Sequence, residues 1–305
     1  MAQTKATLVR TEPVNGTDYL GRFFFRPQNP IHHLHGQYVT LGLSDPRLKE
    51  SVDSRFPNDI KIRGENQVVF RPYSIASAPE EELIELYIIR VDRDGRRGDG
   101  KGVLTTELFS DGSRRSECEL TFLDKAKGAF VLPEHEPGSP DRDDAKTRIM
   151  VATGTGIAPY MSMLRSQSTE REGRLFVLIH GAPYRQDHAY REEIEAMQAS
   201  GLNLVYLPIA SREPTDSSQK YVEELFLQRL RGAEGRVVQE EVKQAIQSKE
   251  RLRNTGIEEI IGHELRPETD IIMVCGNPGM IGNLELISRE LGFKRKTGFK
   301  REDYW

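Results

Sequence analysis

The sequence Met150-Val151-Ala152-Thr153-Gly154-Thr155-Gly156-Ile157-Ala158-Pro159-Tyr160 changes character twice within a few residues. The β-branched, apolar run at 149–151 reads as a buried strand. Glycines then break it, and Ile157, Met161 and Leu164 recur at helical spacing. The pattern is a strand, a tight turn and a helix start. Free backbone N–H groups and the positive end of the helix dipole meet at such a point and favour an anion. Gly154 and Gly156 let the backbone approach a diphosphate where a Cβ would clash. Pro159 suits the first helical turn, because the N–H it lacks has no partner there. A G-x-G turn also serves as a plain structural turn, so the meaning of this one depends on the rest of the chain.

Downstream, strand-like and helix-like segments alternate, as in a parallel sheet. Strands are expected at 148–152, 175–180, 202–209 and 270–275. Helices are expected at 157–167, 188–199, 218–231, 237–251 and 279–291. Upstream the rhythm differs. Short strand-like runs at 6–9, 19–25, 37–41, 68–77, 85–91, 117–123 and 129–132 are separated by turn residues such as Asn15-Gly16, which indicates an antiparallel barrel or sandwich. The polar stretch 44–66 reads as a surface excursion, and 92–101 as a charged loop. His32, His33 and His35 read as part of a solvated loop rather than a metal site, since no second ligand group is near. The proline-rich, charged segment PEHEPGSPDRDDAK at 133–146 is the best domain boundary. It divides the chain into 1–135, a linker at 136–145, and 146–305.

At 305 residues, two domains are expected. With 37% hydrophobic and 30% charged residues, the composition is that of a globular protein with true cores. A formal charge of −4 gives no electrostatic case for nucleic acid or an anionic membrane. No run approaches the ~20 apolar residues of a membrane span, and the opening MAQTKATLVR lacks a signal-peptide core. The two cysteines, Cys118 and Cys275, do not form a disulfide framework, so a reducing cytoplasm is the expected setting. They are too few for a Cys₄ iron–sulfur cluster.

Four motifs stand in one order: Arg71-Pro72-Tyr73-Ser74, Gly102-Val103-Leu104-Thr105, Gly154-Thr155-Gly156-Ile157-Ala158-Pro159 and Cys275-Gly276-Asn277-Pro278, with Glu302-Asp303-Tyr304-Trp305 at the end. Together they resemble the ferredoxin–NADP⁺ reductase family, in its bacterial flavodoxin/ferredoxin reductase branch. The resemblance covers almost the whole chain. It implies an FAD-binding antiparallel β-barrel followed by an NADP-binding, doubly wound α/β domain with a parallel sheet.

The resemblance also implies roles. Arg71 and Pro72 open the flavin motif; a forked, permanent cation such as Arg71 suits the FAD diphosphate. Tyr73 would lie against the flavin, and the Ser74 hydroxyl would face its N5, where hydride arrives. Tyr87, Ile88, Ile89 and Arg90 match the strand that supports the ribityl and adenosine parts. Gly102, Val103, Leu104 and Thr105 match a phosphate-holding helix start. Thr153, Gly154, Thr155, Gly156 and Pro159 match the NADP diphosphate loop, with Thr155 also against the flavin. Ser211-Arg212 resembles the reader of the 2′-phosphate. Its second cation is best matched by Arg236 in Gly235-Arg236-Val237, with Lys220-Tyr221 as the rival; Pro183 stands where many bacterial members carry arginine. Cys275, Gly276, Asn277 and Met280 would shape the nicotinamide end, with Cys275 packing and orienting rather than attacking. Tyr304 would cover one flavin face and Trp305 reach toward the adenine, while Glu302 is a candidate for tuning charge or proton supply.

The implied activity is hydride transfer between NADP(H) and FAD, with single electrons exchanged with a ferredoxin or flavodoxin. An acidic partner calls for a basic rim, for which Arg93, Arg96, Arg97, Lys294, Arg295, Lys296, Lys300 and Arg301 are candidates, although a solvated charge run has the same appearance. A monomer is the default. The other readings of the same motifs are a flavin reductase component of an oxygenase and a non-catalytic protein on this fold. The sequence assigns no role to the stretches 44–66 and 213–235.

Overall fold

The structure is a computed structural model that describes residues 2–44, 60–63, 66–91, 102–110, 118–132, 147–167, 173–213, 221–227, 252, 255–295 and 297–303. The expected linker at 136–145 lies outside these residues. The chain divides into two compact units: Met1–Val131 with Ala158–Ser166, and Leu132–Ile157 with Gln167–Trp305.

The first unit is an antiparallel barrel built from β1 (Gln3–Pro13), β2 (Leu20–Pro27), β3 (Tyr38–Ser44), β4 (Ile60–Arg63), β5 (Asn66–Ser74), β6 (Ile84–Ile89) and β7 (Glu119–Leu123). The strands lie in the order β4-β5-β3-β7-β1-β2-β6. Just past β5, Ile75 bridges to Leu86 of β6, and the Ala76 N–H donates to the Glu85 carbonyl at 2.8 Å. That contact closes the sheet on itself and leaves β4 outside the ring. Closure removes the open edges that an antiparallel sheet would otherwise expose. Phe23, Phe25, Leu41, Leu43, Ile75, Leu86 and Phe122 fill the interior with no exposed surface. Phe25 and Phe122 meet edge to face at 5.5 Å, a geometry that adds to plain burial. The β1–β2 turn places Asn15 and Gly16 at positive φ, as their pairing predicts.

The short helix α1 (Val103–Leu108) buries Leu104 and Leu108 in the same core. The helix α2 (Ala158–Gln167) also groups with the barrel through residues 158–166. Its Ser162 hydroxyl donates to the Ser77 carbonyl at 2.7 Å, and its Arg165 donates to the Ala76 carbonyl at 2.7 Å. Glu85, 1% exposed, receives Arg165 at 2.7 Å on one oxygen and Arg22 at 2.6 Å on the other.

The second unit is an all-parallel, five-stranded sheet in the order β10-β9-β8-β11-β12. Its strands are β8 (Thr147–Thr153), β9 (Leu175–Ala182), β10 (Leu204–Ala210), β11 (Asp270–Gly276) and β12 (Phe299–Asp303). Helices α3 (Arg191–Ala199), α4 (Gly256–Ile261) and α5 (Pro278–Glu290) accompany it. The order is doubly wound, and β8 and β11 lie side by side in the middle. Ile149, Val151, Val177, Ile179, Ile272 and Val274 form a buried layer with Leu284 and Ile287 of α5.

Several expectations need correction. Residues 129–132 are not a strand: Gly128 turns with φ 111°, and Phe130, Val131 and Leu132 are buried as irregular chain. Within the 44–66 excursion, Ile60–Arg63 pairs with β5 as a strand. At 218–231 the described part, Val222–Phe226, is a 3₁₀ turn rather than an α-helix, and 237–251 lies outside the described residues except for Leu252 beyond it. The helix expected from 188 begins at Arg191, because Tyr190 before it adopts φ 65°. His35 is buried, unlike exposed His32. No group of metal-ligating side chains occurs among the described residues, nor any helix there long and apolar enough to cross a membrane.

Glu85 ties two arginines to the barrel closure. Removing its carboxylate leaves Arg22 and Arg165 only the more exposed Glu12, at 3.3 Å, and Glu81, at 3.6 Å, as counter-charges, which sets the loss at the low end of the about 3–5 kcal/mol for breaking a buried pair. Because Arg22 keeps 23% of its side-chain exposure, Glu85→Ala is expected to cost about 3 kcal/mol in urea unfolding, whereas Glu82→Ala, on an exposed pair with Arg26, changes the midpoint little.

Candidate functional site

At the carboxyl ends of β8 and β11 two turns touch. A side chain on Gly156 would place its Cβ 2.3 Å from the Cys275 carbonyl oxygen, and one on Gly276 would lie 2.2 Å from Thr153 Oγ1. Gly276 also has φ 133°, which an L side chain rarely adopts. The Asn277 N–H donates to Thr153 Oγ1 at 2.7 Å. Asn277 in turn caps α5: its Oδ1 accepts from the Gly279 N–H at 2.8 Å and from that of Met280 at 3.4 Å, with Pro278 as first helical residue. Gly154, at φ 55°, differs from Gly156: an added Cβ there meets nothing within 4 Å. After a 3₁₀ turn at Gly154–Ile157, α2 starts with Pro159 as its second residue and no acidic side chain in its first turn. Its dipole end therefore faces no competing carboxylate of its own.

The strand register lines up Pro208, His180, Ala152, Cys275 and Glu302 in one row across the sheet. Neighbours in such a row share a face. Burial pushes the Cys275 thiol well up, and the nearby charges of Glu302 and Asp303 push it the same way. The residue is therefore a neutral thiol, not a nucleophile. Next along the sheet end, the turns after β9 and β10 are zipped together. Ser211 N–H donates to the Ala182 carbonyl at 2.9 Å, and Arg212 N–H to that of Pro183 at 2.9 Å. The Arg185 N–H donates to Glu213 Oε1 at 3.0 Å, and its guanidinium lies 3.4 Å from Oε2. Arg212 is exposed. Val222 sits over the end of β9, 2.9 Å from where a Gly181 Cβ would be, and Tyr221 beside it is exposed.

These features coincide with sequence similarity. The family described as oxidoreductase NAD-binding domain matches residues 150–285. The chain is 28% identical to a flavodoxin/ferredoxin–NADP reductase of Buchnera aphidicola over 78% of this chain and 82% of that one. It is 24% identical to a ferredoxin–NADP reductase of Pseudomonas aeruginosa over 89% and 84% of the two chains. Its fold matches a ferredoxin NADP⁺ reductase from Neisseria gonorrhoeae, solved with bound FAD and NADP, at TM-score 0.64 and 18% identity, covering 100% of this chain and 98% of that one. The chain is thus similar to bacterial ferredoxin–NADP⁺ reductases over most of its length, and its second half carries an oxidoreductase NAD-binding domain.

The segment Arg71-Pro72-Tyr73-Ser74 closes β5. Tyr73 packs against the barrel core and Ser74 is buried at the strand end. Burial raises the Tyr73 phenol above its ordinary range, against the opposing pull of the Arg71 charge nearby, so the hydroxyl remains a donor. Arg71 itself donates to the Phe70 carbonyl at 2.9 Å. On β6, Tyr87 and Ile88 are buried, Ile89 is half-buried, and Arg90 beyond it donates to the Asp18 carbonyl at 3.0 Å and Oδ2 at 3.3 Å. Gly102 precedes α1 where a Cβ would strike the Val91 carbonyl at 1.9 Å. The Thr105 hydroxyl is occupied locally, accepting from the Val91 N–H at 3.1 Å and donating to the Gly102 carbonyl at 3.0 Å. A phosphate at this turn would thus meet main-chain donors first.

The expected basic rim is weaker than its sequence. Lys300 is buried, and Arg301 and Arg295 approach the same Glu285 at 2.5 and 3.6 Å. Arg93, Arg96, Arg97 and Lys296 lie outside the described residues, as do Arg236, Lys220, Tyr304 and Trp305.

Sequence reasoning passed over His180, Arg185 and Glu213. The signal for His180 was a histidine interrupting the apolar run Leu175-Phe176-Val177-Leu178-Ile179 at its carboxyl end, where open sheets bind ligands.

The two glycines of the turn are expected to respond differently to a methyl group. Gly154→Ala has room but an unfavourable φ, at about 1–2 kcal/mol. Gly156→Ala drives Cβ into a backbone carbonyl and is expected to cost about 3 kcal/mol; thermal unfolding of the two variants should show the larger loss at position 156.

Proposed function

We propose that the chain is an FAD-dependent ferredoxin/flavodoxin–NADP⁺ reductase, moving a hydride between NADP(H) and the flavin and single electrons to or from a ferredoxin or flavodoxin. The observation that carries this reading is the contact of the two central turns. Gly156 lies against the Cys275 carbonyl and Asn277 is bonded to Thr153, beside an open Gly154 and a helix start without carboxylates. That surface suits a dinucleotide diphosphate. When bound, FAD supplies the ring that accepts hydride and parts with electrons singly.

The chain's own residues bind, orient and set polarity. Arg71 would hold the FAD diphosphate with its planar fork, and Gly102 to Thr105 a further phosphate oxygen through main-chain donors. The phenol of Tyr73, kept protonated by burial, would pack on the ring and donate. The Ser74 hydroxyl, buried at the end of β5, would hold a hydrogen bond at N5. Tyr87 to Arg90 would line the ribityl and adenosine, and Tyr304 and Trp305 would cover the ring and adenine. Along the turn that follows β8, Thr153, Gly154, Thr155, Gly156 and Pro159 would form the NADP diphosphate turn. Cys275 remains a neutral thiol that packs the nicotinamide end with Gly276, Asn277 and Met280. Glu302, next to Cys275 in the sheet, supplies negative potential there. No ionised general base is called for.

NADP rather than NAD requires a cation with no competing carboxylate. Ser211 and Arg212 stand at the end of β10, with Arg236 as the second cation. Glu213, which would repel a 2′-phosphate, is tied to the N–H and guanidinium of Arg185.

Arg212→Ala is expected to remove about 1.5–3 kcal/mol of charge-assisted bonding, lowering kcat/KM for NADPH roughly ten- to hundredfold and leaving NADH turnover nearly unchanged. The reading itself is tested by reconstitution with FAD, giving a yellow protein bleached by NADPH and hardly by NADH, followed by turnover with a ferredoxin and a flavodoxin. Brisk reduction of small dyes with failure on both proteins would assign the chain to an oxygenase-type flavin reductase. A protein that stays colourless with FAD would end the enzymatic reading.

A further inference from the structure

His180 has no exposed surface, yet every polar atom of its ring meets a defined neighbour. Its Nε2 lies 3.0 Å from the Gly154 carbonyl oxygen. That oxygen only accepts, so Nε2 carries the hydrogen and Nδ1 carries the lone pair. Facing Nδ1 is the Tyr206 hydroxyl of β10, at a long 3.5 Å. The His188 ring stands edge to face at 4.9 Å, with its Nε2 3.0 Å from the His180 carbonyl and its Nδ1 3.2 Å from that of Arg185. Three segments thus converge on one imidazole, and its hydrogen bond goes to the glycine with φ 55° that opens the turn.

A trans peptide is planar, with its C=O and the following N–H pointing opposite ways. Fixing the Gly154 carbonyl toward His180 therefore fixes the Thr155 N–H away from the ring. We propose that His180 is a positioning residue: as the neutral Nε2–H tautomer it holds the Gly154–Thr155 peptide with the Thr155 N–H presented to an incoming diphosphate. This rests on the reading of the turn as a dinucleotide site.

The surroundings keep the device constant with pH. Burial and the neighbouring His188 push the His180 imidazole down to about 3, against the opposing pull of the Gly154 bond. The Tyr206 phenol is itself held protonated by burial, with Arg191 and Glu195 the charged groups that bear on it. No group facing the ring thus drives its protonation in the neutral range.

The test compares His180→Phe, which removes the donor, with His180→Gln, which can restore one. Calorimetry would use NADP⁺ and 2′-phospho-AMP, which lacks the dinucleotide diphosphate. His180→Phe should weaken NADP⁺ about tenfold, raise KM with little change in kcat, and leave 2′-phospho-AMP within about twofold. His180→Gln should recover most of the loss. Equal weakening of both probes, or no recovery in the glutamine variant, would reduce His180 to a packing role. If the phenylalanine variant does not fold, ¹⁵N spectra of the wild-type ring decide: a neutral Nε2–H form between about pH 5.5 and 8.5 supports the proposal, and an Nδ1–H form or a titration in that range overturns it. A wild-type chain that binds 2′-phospho-AMP but gains nothing from the rest of NADP⁺ sinks the inference alone. Binding of neither probe sinks the proposed function with it.

Discussion

The Cys275 carbonyl occupies the space that any side chain on residue 156 would need. Most of the second unit follows from this close approach. Two adjacent central strands can bring their terminal turns into contact only if both turns shed their side chains, and Gly156 and Gly276 do so. Thr153 then bridges the gap, taking the Asn277 N–H on its hydroxyl. The sheet order makes this the natural site. The chain leaves β8 toward β9 on one side and leaves β11 toward β12 on the other. The connections diverge there, at the kind of switch point outside the carboxyl ends of the strands where open α/β sheets bind ligands.

The electrostatics of that sheet end are of one kind. Cys275 is held as a thiol and His180 as a neutral imidazole. Glu223 beneath Tyr221 is pushed up by burial, with Asn283 donating to its carboxyl group. Side chains close to the turns thus act as fixed dipoles and contact surfaces, not as ionised reagents. The charges bearing on this end are Glu302 and Asp303 beside Cys275; on the β9–β10 side, Arg212 is exposed, and Arg185 and Glu213 compensate each other. An arrangement of this type orients a ligand and discriminates at its charged end, and leaves bond-making to what it binds.

Much of this was legible in the chain, for reasons that also mark the limits. Strand, glycine turn and proline-bearing helix start at 147–167 are local events, and local chemistry specifies them. Asn15-Gly16 predicted its turn because few other pairs tolerate positive φ at both positions. The failures are tertiary. Phe130, Val131 and Leu132 look like a strand because they are apolar, but they are apolar because they are buried; their nearest ladder contact is the single bridge of Lys127 to Tyr38. The strand Phe299–Asp303 was hidden by its charges, which an edge strand tolerates well. The roles of His180 and of the Arg185–Glu213 pair depend on partners about thirty residues away, which periodicity does not register.

The helix after the glycine turn shows how far one segment's stability can depend on another's backbone. Beyond the bridge at Ile75 the barrel ladder runs out, and the carbonyls of Ala76 and Ser77 would be left without strand partners. Buried carbonyls must be satisfied somewhere. Arg165 and Ser162 supply the donors, and Glu85 holds the arginine in place from the facing strand. The chain segment directly following Arg71-Pro72-Tyr73-Ser74 is therefore completed by side chains of the helix that follows Gly154-Thr155-Gly156. Two motifs about eighty residues apart in sequence converge on one hydrogen-bonding problem, which explains why α2 groups with the barrel rather than with the strand that precedes it.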